Sequence, residues 1–385
     1  MNKIIENDCK KQLKRIKDES IDFIYIDPPY NTRKNTFEYN DSNDNWNEDI
    51  HDSLLEARRV MKKSAFMFIS IDDSKLAELI IICKNVFGEK NFLGMFITRQ
   101  STKSNAKFIN IIHEYIICVC KDRTTAPQMG IRRIQNPIYA DDIVNLINYI
   151  NNIYCKKGQE YATKQLRKEL KKIDNDKFSW LKNYNNVDEN GRIFFSTDLS
   201  VPGNPNTIRI HSQNRTLEKL ANRRWQSEDY INSLYEMNLI VEKNGRPYKK
   251  NFLEDAVDRV QSVMNYYSRQ GTKDLDKLGM GGFFSTAKPI EMLKYLLRIS
   301  MIEEGVALDF FAGSGSLAQA VIEVNNEDRK SIEFILIQKK EQIKNNPKAV
   351  KQLKAMGYGD RIIDIIKYRL DLLKKKYKFK YKELE

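Results

Sequence analysis

The sequence predicts an α/β fold in which a mostly parallel sheet is covered by helices on both faces and is interrupted by an inserted domain. Residues 1–121 and 281–385 alternate apolar strand-like runs with amphipathic helical segments, a pattern typical of buried parallel strands joined by crossover helices. Residues 122–280 lack this alternation and are rich in Asn, Lys, Arg and Tyr. They are therefore predicted to form a second domain with a smaller core.

Each predicted element follows from its local pattern. Short apolar runs predict strands at IIEN, IDFIYID, AFMFISID, HEYIICVCK, GVALDFF and FILIQ. Apolar residues at helical spacing predict helices at CKKQLKRIKDE, residues 49–61, SKLAELIIICKNVF, PIEMLKYLLRIS and SLAQAVIEV. In the middle block YATKQLRKELKKI is predicted to be a charged helix, and the tail from VKQLKAM to KYKFKYKELE is predicted to be helical and basic.

The composition favours a cytoplasmic protein with a polyanionic partner. The 385 residues carry a formal net charge of +13, which suits a nucleic acid but also fits a solvated surface rich in lysine. The five cysteines are few and odd in number, as expected in a reducing cytoplasm. No apolar run is long enough to span a membrane, and the three histidines show no metal-binding or triad spacing.

The first segment that indicates chemistry is Asp27-Pro28-Pro29-Tyr30, directly after the strand IDFIYI. A carboxylate at the carboxyl end of a buried strand lies where open α/β sheets bind ligands. The two prolines remove amide donors, which leaves Asp27 and the carbonyl of Pro28 as acceptors for both hydrogens of an exocyclic amine. Tyr30 offers a flat face for a base, worth about 1–3 kcal/mol. Alone, the segment also fits a strand end with a Pro-Pro turn and a core tyrosine.

The second segment is a glycine-rich turn between the strand GVAL and the helix LAQAVIEV. It consists of Asp309, Phe310, Phe311, Ala312, Gly313, Ser314, Gly315 and Ser316. Glycines in such a turn let a ligand approach the backbone and the amides at the start of the helix. The turn fits the pattern G-x-G-x-x-A, so by itself it indicates a nicotinamide site or a structural turn equally well. Gln338, at the end of the next strand, either meets a ribose hydroxyl or is a solvated strand end.

Taken together, the two segments resemble those of the amino DNA methyltransferases, and more closely those of the modification subunits of type III restriction–modification systems. The resemblance is carried by IIENDC, FIYIDPPYNT, FEYND, FISIDDSKLAELIIICKNVFGEKNF, HEYIICVCK, FFSTAKP, LDFFAGSGSLAQAVIEVN and FILIQKKE, which span most of residues 1–341. It implies a Rossmann-like sheet of seven strands with a target-recognition domain inserted into it. The catalytic motif precedes the glycine-rich motif, which is the order of the beta class.

The resemblance also implies a reaction and its site residues. S-adenosylmethionine is expected as methyl donor, held by the AGSG turn and by Thr286, Lys288 and Pro289 of the TAKP segment, with Asp8 near the cofactor adenine. The flipped target adenine is expected over DPPY, with its amine as the nucleophile and no covalent intermediate. From the residues alone, Asp8 is equally a helix cap, and the TAKP segment is equally a helix start.

The resemblance implies a site-specific enzyme that methylates N6 of adenine in double-stranded DNA, either as the modification component of a type III-like system or as a solitary methylase. A homodimer and a restriction subunit remain open as partners. Three departures bear on this: the chain starts almost directly at the first strand, it stops soon after IIDIIKYRLDLLKKK, and it lacks an acidic residue near Gln338. The first two departures put assembly with a restriction subunit in question. The third implies either that the ribose is bound more weakly at Gln338 or that Glu341 binds it instead.

Three alternatives remain at the level of sequence. An N4-cytosine methyltransferase shares the fold and the motifs, although DPPY favours adenine. A nicotinamide-dependent oxidoreductase accounts for the glycine turn but leaves DPPY unexplained. A DNA-binding protein with a decayed enzyme fold is disfavoured because both motifs are intact.

The middle block is predicted to bind DNA. Arginine suits phosphate contacts and guanine readout, and aromatic side chains can stack on bases or fill the gap left by a flipped base. The candidates are Arg132, Arg133, Arg209, Arg215, Arg223, Arg224, Arg246, Lys249 and Lys250, with Tyr139, Tyr184, Trp225, Tyr248 and Tyr266. The pair Arg223 and Arg224 is expected either to contact phosphates with both side chains or to read a guanine edge with one of them. The alternative is that this pair forms salt bridges on the domain surface, with Glu218, Glu228 or Asp229.

Overall fold

The computed structural model describes residues 1–32, 37–99, 108–136, 140–173, 176–300 and 302–384. The chain forms two compact units. The first unit combines Met1–Gly130 with Arg259–Glu385, and the second unit is Ile131–Asp258. None of the helices in these ranges is both long enough and apolar enough to cross a membrane.

The helices and strands follow one another along the chain in three stretches. The first stretch contains β1 (Asn2–Glu6), α1 (Cys9–Leu13), β2 (Ile21–Ile26), α2 (Trp46–Val60), β3 (Met61–Ile71), α3 (Leu76–Phe87), β4 (Phe92–Arg99) and β5 (His113–Cys120). The second unit contains β6 (Ile131–Arg132), α4 (Ala140–Lys171), β7 (Asn186–Val187), β8 (Ile193–Asp198), β9 (Ser200–Pro202), β10 (Ile208–Ile210), β11 (Arg215–Leu217), β12 (Arg223–Trp225), α5 (Glu228–Glu236), β13 (Ile240–Lys243), β14 (Arg246–Phe252) and β15 (Val257–Asp258). The last stretch contains β16 (Val263–Tyr267), α6 (Arg269–Lys277), α7 (Ile290–Ile299), β17 (Glu304–Asp309), α8 (Ser316–Asp328), β18 (Ser331–Gln338), α9 (Pro347–Ala355), α10 (Ile362–Lys374) and β19 (Tyr381–Leu384). Short 3-10 helices lie at Glu89–Asn91, Arg133–Gln135, Asp176–Asn183, His211–Gln213 and Leu253–Asp255.

The first unit is built on one sheet of nine strands, in the order β16-β4-β5-β3-β2-β17-β18-β1-β19. Among these described strands only β5 runs antiparallel to its neighbours β3 and β4, and every other pairing is parallel. The predicted α/β fold with a mostly parallel sheet is confirmed. The seven strands implied by the family resemblance form the interior of the sheet, and β16 and β19 extend it at the two edges.

The end of the chain was predicted to be helical, and its last segment is instead a strand. Helices α9 and α10 are present, but β19 pairs in parallel with β1, placing Tyr381 opposite Asn2. The segment KYKFKYKE alternates lysine with aromatic residues, which is the period of a half-buried strand rather than of a helix. β19 pairs with β1, which comes from the other end of the chain. The basic composition of the segment therefore did not indicate the strand.

Helix α1 is shorter than predicted, and an arginine from α2 binds the backbone carbonyls at and after its end. The predicted helix extended to Glu19, whereas α1 ends at Leu13. The guanidinium group of Arg59 donates hydrogen bonds to the carbonyls of Leu13 (2.8 Å) and Ile16 (3.1 Å). The N–H of Ile16 also donates to the carbonyl of Leu13 (3.0 Å), so the chain forms a tighter turn here in place of a further α-helical turn. Strand β4 was not predicted either.

The second unit is narrower than the predicted block 122–280. β16 pairs with β4 in the large sheet, so the chain has already returned to the first unit at Arg259. The second unit has a sheet in the order β13-β14-β8-β7 and three two-stranded sheets. Helix α4, broken at Gly158 where φ is 77°, packs over one apolar cluster, and Trp225 lies in another.

Several side chains expected to face DNA have other positions in the structure. Tyr184 and Trp225 are core residues, and Tyr266 belongs to β16 in the first unit. Five of the cations form ion pairs within the second unit: Arg133 with Asp258, Arg215 with Glu242, Arg223 and Arg246 with Asp198, and Lys250 with Glu189. Tyr139 lies outside the described residues.

Candidate active site

The candidate site lies at the carboxyl edge of the large sheet, where β2 and β17 end side by side. β2 is followed by Asp27 and β17 ends at Asp309, and the two strands pair in parallel with Leu308 opposite Ile24. Carboxyl edges of this kind are where open α/β sheets bind ligands. A cavity of about 390 Å³ opens there, within the range of about 300–1,000 Å³ that is usual for ligand pockets.

Most of the residues predicted for the two sites line this one cavity. The lining includes Asp8, Asp27, Pro29, Thr286, Lys288, Asp309, Phe310, Phe311, Ala312, Gly313, Ser314 and Gln338. Four predicted residues are not part of the lining, namely Pro28, Tyr30, Pro289 and Gly315. Of these, Pro28 is buried and Pro289 directly precedes α7. The tertiary fold thus brings together the DPPY and AGSG segments, which are far apart in sequence.

The glycine-rich turn depends on its glycines and on Gln338. Gly313 and Gly315 have φ angles of 52° and 78°, a left-handed conformation that side chains with a Cβ atom disfavour. The N–H of Gly313 donates to Oε1 of Gln338 (2.9 Å), and the N–H of Ala312 donates to the carbonyl of Ile337 (3.2 Å). Gln338 therefore anchors the turn to β18, a function that was not predicted for it.

A buried arginine from the tail supports the same turn and was not predicted. Arg369 in α10 is completely buried, and its guanidinium group donates to the carbonyl and hydroxyl oxygens of Ser314, to Oγ of Ser316 and to Oε1 of Gln319, at 2.9–3.1 Å. Burial lowers the pKa of Arg369 to about 10. In a lysine-rich helix a single arginine resembles a solvated side chain, so the sequence carries no signal for this contact.

Asp309 is buried at the end of β17 beside the turn. Burial raises the pKa of its carboxyl group to about 8. The N–H of Phe311, 2.9 Å from Oδ1, opposes this shift by favouring the charged form, and the charge of Asp27 adds to it. Asp309 therefore gains a proton on folding at any pH between its ordinary pKa and about 8.

We expect this proton uptake to make stability depend on pH. Because the pKa of Asp309 is higher in the folded protein, its contribution to the free energy of unfolding is fully present below about pH 4 and is lost as the pH rises to about 8. The loss is about 1.4 kcal/mol per pH unit at most. Asp309→Asn removes this dependence, so the unfolding midpoint of the wild type should fall relative to that of the variant between about pH 5 and about pH 8. Asp52→Asn, at an exposed position, is the control, and parallel curves for wild type and Asp309→Asn would contradict the expectation.

Around Asp27 the structure assembles a compact charged cluster. The hydroxyl group of Tyr30 donates to Oδ1 of Asp27 (2.8 Å), and Nζ of Lys288 donates to the Tyr30 hydroxyl (2.7 Å). Lys288 also forms ion pairs with Asp27 (3.1 Å) and with Glu114 at the start of β5 (3.2 Å). Burial opposes the charged form of Lys288, but the two carboxylates outweigh burial and raise its pKa well above the ordinary value. Lys288, expected only beside the cofactor, thus contacts the predicted catalytic residues.

Residues 21–351 match a family model described as DNA methylase. This range includes both the DPPY and the AGSG segments and most of the chain. The chain belongs to the DNA methylase family. The family assignment confirms the resemblance on which the expected site was based.

Two relatives and one solved structure show what this DNA methylase is similar to. The Mod subunit of the type III restriction-modification enzyme EcoP15I of Escherichia coli is 28% identical and aligns with 93% of this chain and 60% of its own length. The type II methyltransferase M.KpnI of Klebsiella pneumoniae is 26% identical and aligns with 97% of this chain and 87% of its own length. The chain thus spans about three fifths of the length of the EcoP15I subunit. A solved structure of a putative DNA modification methylase from Thermus thermophilus, complexed with S-adenosyl-L-methionine, aligns over 100% of this chain and 98% of its own chain. The two are 11% identical in sequence, and the TM-score is 0.45.

Two aromatic residues complete the cavity of this DNA methylase and were not predicted as site residues. Tyr39 stacks on Phe284, with ring centroids 6.1 Å apart and planes at 17°. Trp46, at the start of α2, donates from Nε1 to the carbonyl of Pro29 (2.6 Å). Tyr39 belongs to the FEYND segment of the family resemblance, which was the available signal, whereas Trp46 has no such signal.

Two carboxylates at the edge of the cavity have partners of their own in this DNA methylase. Asp8 accepts the N–H of Lys11 (3.2 Å) and so caps α1, while it also lines the cavity. Both interpretations of Asp8 are thus compatible. Glu341 lines the cavity too, and its Oε1 accepts the N–H of Asn40 (2.8 Å). Oε1 of Gln338 likewise accepts the N–H of Gly313, so both side chains reach the cavity with one oxygen already bonded to the backbone.

Proposed function

We propose that this chain is an S-adenosylmethionine-dependent DNA methyltransferase that methylates N6 of adenine at a specific site in double-stranded DNA. The observation that carries the proposal is a single cavity lined by both Asp27 and the turn around Gly313. The proposal is also supported by the similarity to type III Mod subunits and to a type II methyltransferase.

The residues of the cavity fit S-adenosylmethionine. Phe310 and Phe311 offer apolar surface for a purine ring, while Asp8 and Glu341 offer carboxylate oxygens for hydroxyl or amino groups. Gly313 has no side chain, so its backbone lines the cavity directly and a ligand can approach it. We propose that these residues hold the cofactor together with Thr286, Ala312, Ser314 and Asp309. When bound, S-adenosylmethionine supplies an electrophilic methyl group to the amine and becomes a neutral thioether.

The catalytic contribution of the protein is mainly positioning and electrostatics. A base amine inside a duplex cannot be reached, so the base leaves the stack at a cost of a few kcal/mol. We propose that Asp27 accepts a hydrogen bond from the amine, stabilises the positive charge that develops on its nitrogen, and can take up the proton that the methylated nitrogen releases. Pro28 and Pro29 keep competing amide donors away from this carboxylate.

The direct test is product analysis after methylation. The purified chain, double-stranded DNA and tritiated S-adenosylmethionine should yield labelled DNA, and digestion to nucleosides should yield N6-methyladenine. N4-methylcytosine would establish the alternative, a cytosine methyltransferase. If the purified chain binds S-adenosylmethionine but transfers no label to DNA of several random sequences, the result would contradict the proposed activity.

We also propose that the second unit recognises the target sequence. The support is its place in the chain, between the DPPY and AGSG segments. One arginine there has a side chain that can meet a phosphate: Arg224 is exposed, and its guanidinium group forms no hydrogen bond or ion pair with the described residues. Its neighbour Arg223 instead donates from Nε to Oγ of Ser200 (2.7 Å) and lies 3.7 Å from Asp198.

This contrast gives a paired prediction for DNA binding. If Arg224 contacts a phosphate, Arg224→Ala should reduce the slope of log affinity against log salt by about 0.9. Arg223→Ala should leave the slope unchanged and lower the unfolding midpoint instead, because it removes contacts within the unit. Salt titrations of both variants on one duplex measure the slopes. Equal slopes for wild type and Arg224→Ala would show that Arg224 is not a phosphate contact.

We propose that the chain is the modification component of a restriction–modification system, working in the cytoplasm. The names of the type III relatives support the first point, and five free cysteines fit the second. Light scattering of the purified chain, alone and with a co-expressed restriction subunit, tests whether it forms a homodimer or a larger complex.

A further inference from the structure

The cluster around Asp27 is a continuous chain of polar contacts that begins outside the cavity. Glu114 does not line the cavity, but its Oε2 lies 3.2 Å from Nζ of Lys288. Nζ of Lys288 donates to the Tyr30 hydroxyl, which donates to Oδ1 of Asp27. We call Glu114, Lys288 and Tyr30 the Asp27 relay. Its side chains are largely buried, with Glu114 16% and Lys288 12% exposed.

The chemistry of the groups sets the direction of the relay. An ammonium group has only donors, whereas a tyrosine hydroxyl has one hydrogen and can also accept. Tyr30 therefore accepts from Lys288, and its single hydrogen points to Oδ1 of Asp27. Oδ2 of Asp27 accepts no hydrogen bond from the residues that the structure describes. One oxygen of the carboxylate is thus fixed, and the other remains available.

The charges of the cluster explain why a second carboxylate is useful. Lys288 alone would neutralise Asp27 and weaken its attraction for an amine hydrogen. Glu114 is a second counter-ion of Lys288, so these three side chains, two carboxylates and one ammonium, together carry a net charge of −1. A negative cluster in a partly dehydrated site stabilises positive charge that develops on a substrate nitrogen.

We infer that Glu114 is a positioning residue for methyl transfer: through Lys288 and Tyr30 it orients Asp27 and preserves the negative charge that the substrate amine meets. This inference rests on the proposed function, because it assigns the substrate amine to Oδ2 of Asp27. Glu114 itself touches neither the cavity nor Asp27 directly. It reaches Asp27 through Lys288, which contacts Asp27 both directly and by way of the Tyr30 hydroxyl.

The test compares Glu114→Gln, Lys288→Met and the double variant with wild type. Glu114→Gln should lower the single-turnover rate by about 10- to 100-fold, with the affinities for S-adenosylmethionine and DNA within a few-fold of wild type. Lys288→Met should lower the single-turnover rate further, because Asp27 and Glu114 then lie near each other without their shared counter-ion. Adding Glu114→Gln to Lys288→Met should recover part of the rate, and Glu114→Asp should retain more activity than Glu114→Gln.

The matched control is Glu291→Gln, since Glu291 forms a similar carboxylate–lysine pair with Lys294 (2.7 Å) outside the cavity. It should leave the rate unchanged. Multiplicative rate losses in the double variant, or a loss of cofactor affinity that accounts for the slow rate of Glu114→Gln, would overturn the relay.

Thermal unfolding separates failure of the relay from failure of the proposed function. Without any substrate, Lys288→Met should have the lowest unfolding midpoint of the three variants, and the double variant should be more stable than Lys288→Met. Strictly additive shifts would overturn the coupling between Glu114 and Lys288, whatever the chain catalyses. A wild-type chain that shows the coupling but methylates no DNA would overturn the proposed function and, with it, the catalytic purpose of the relay.

Discussion

Asp27→Ala should lower the rate of methyl transfer by about 10²–10⁴-fold, with the affinity for S-adenosylmethionine within a few-fold of wild type. The variant removes the carboxylate that lies at the end of β2 with one oxygen held by Tyr30 and the other available. The fold should survive, because Lys288 keeps Glu114 as a counter-ion and is not left buried with an unpaired charge. Single-turnover incorporation of tritiated methyl groups measures the rate, and calorimetry measures cofactor binding.

Two further variants make the result specific to the position of Asp27. Asp27→Asn keeps an acceptor oxygen but loses the charge, so it should be slower than wild type and faster than Asp27→Ala. Asp22 lies at the opposite end of the same strand, where it accepts hydrogen bonds from Lys62 (2.7 Å) and from the N–H of Val306 (2.9 Å). Asp22→Ala should therefore lower the unfolding midpoint without a comparable loss of rate. A rate for Asp27→Ala close to that of wild type would remove Asp27 from the mechanism.

Gly313→Val should weaken the binding of S-adenosylmethionine by about 10- to 100-fold, because valine adds a branched side chain at a position that lines the cavity, and each loss of about 1.4 kcal/mol of binding free energy corresponds to a factor of ten. The φ of 52° at Gly313 is unfavourable for valine. The backbone cannot relax freely, because the N–H of Gly313 is bonded to Gln338. A Cβ atom there would lie 3.5 Å from Cζ of Phe284, so the larger penalty comes from the conformation and from the γ carbons.

Gly357→Val is the matched control for this substitution. Gly357 has a φ of +86°, and a Cβ atom there would meet nothing within 4 Å, so it carries comparable backbone strain away from the cavity. Its variant should bind the cofactor with the affinity of wild type. Gly315→Val should act differently from Gly313→Val, because its Cβ atom would lie 3.2 Å from Ile366 of α10. Equal cofactor affinities for wild type and Gly313→Val would exclude the turn as the cofactor site.

Some of the site could be predicted because its signal is local. Asp27 and Asp309 follow apolar strands that are recognisable from a few residues, and a strand end followed by prolines or glycines has few structural interpretations. Glu114 and Arg369 could not be predicted in the same way. Glu114 resembles any polar residue at the start of a strand, and Arg369 any cation in a lysine-rich helix, because their partners lie far away in sequence.

The sequence by itself determined the α/β class of this DNA methylase, the strands β2 and β17, and the two segments that line the cavity. These follow from hydrophobic periodicity and from the backbone restrictions of proline and glycine, which act within a few residues. Only the tertiary structure decided that Lys288 meets Asp27, that Gln338 anchors the turn, that Trp225 is a core residue rather than a DNA contact, and that β19 joins the sheet beside β1. The physical reason is that ion pairs, buried hydrogen bonds and strand pairing depend on which distant groups the fold brings within about 3 Å.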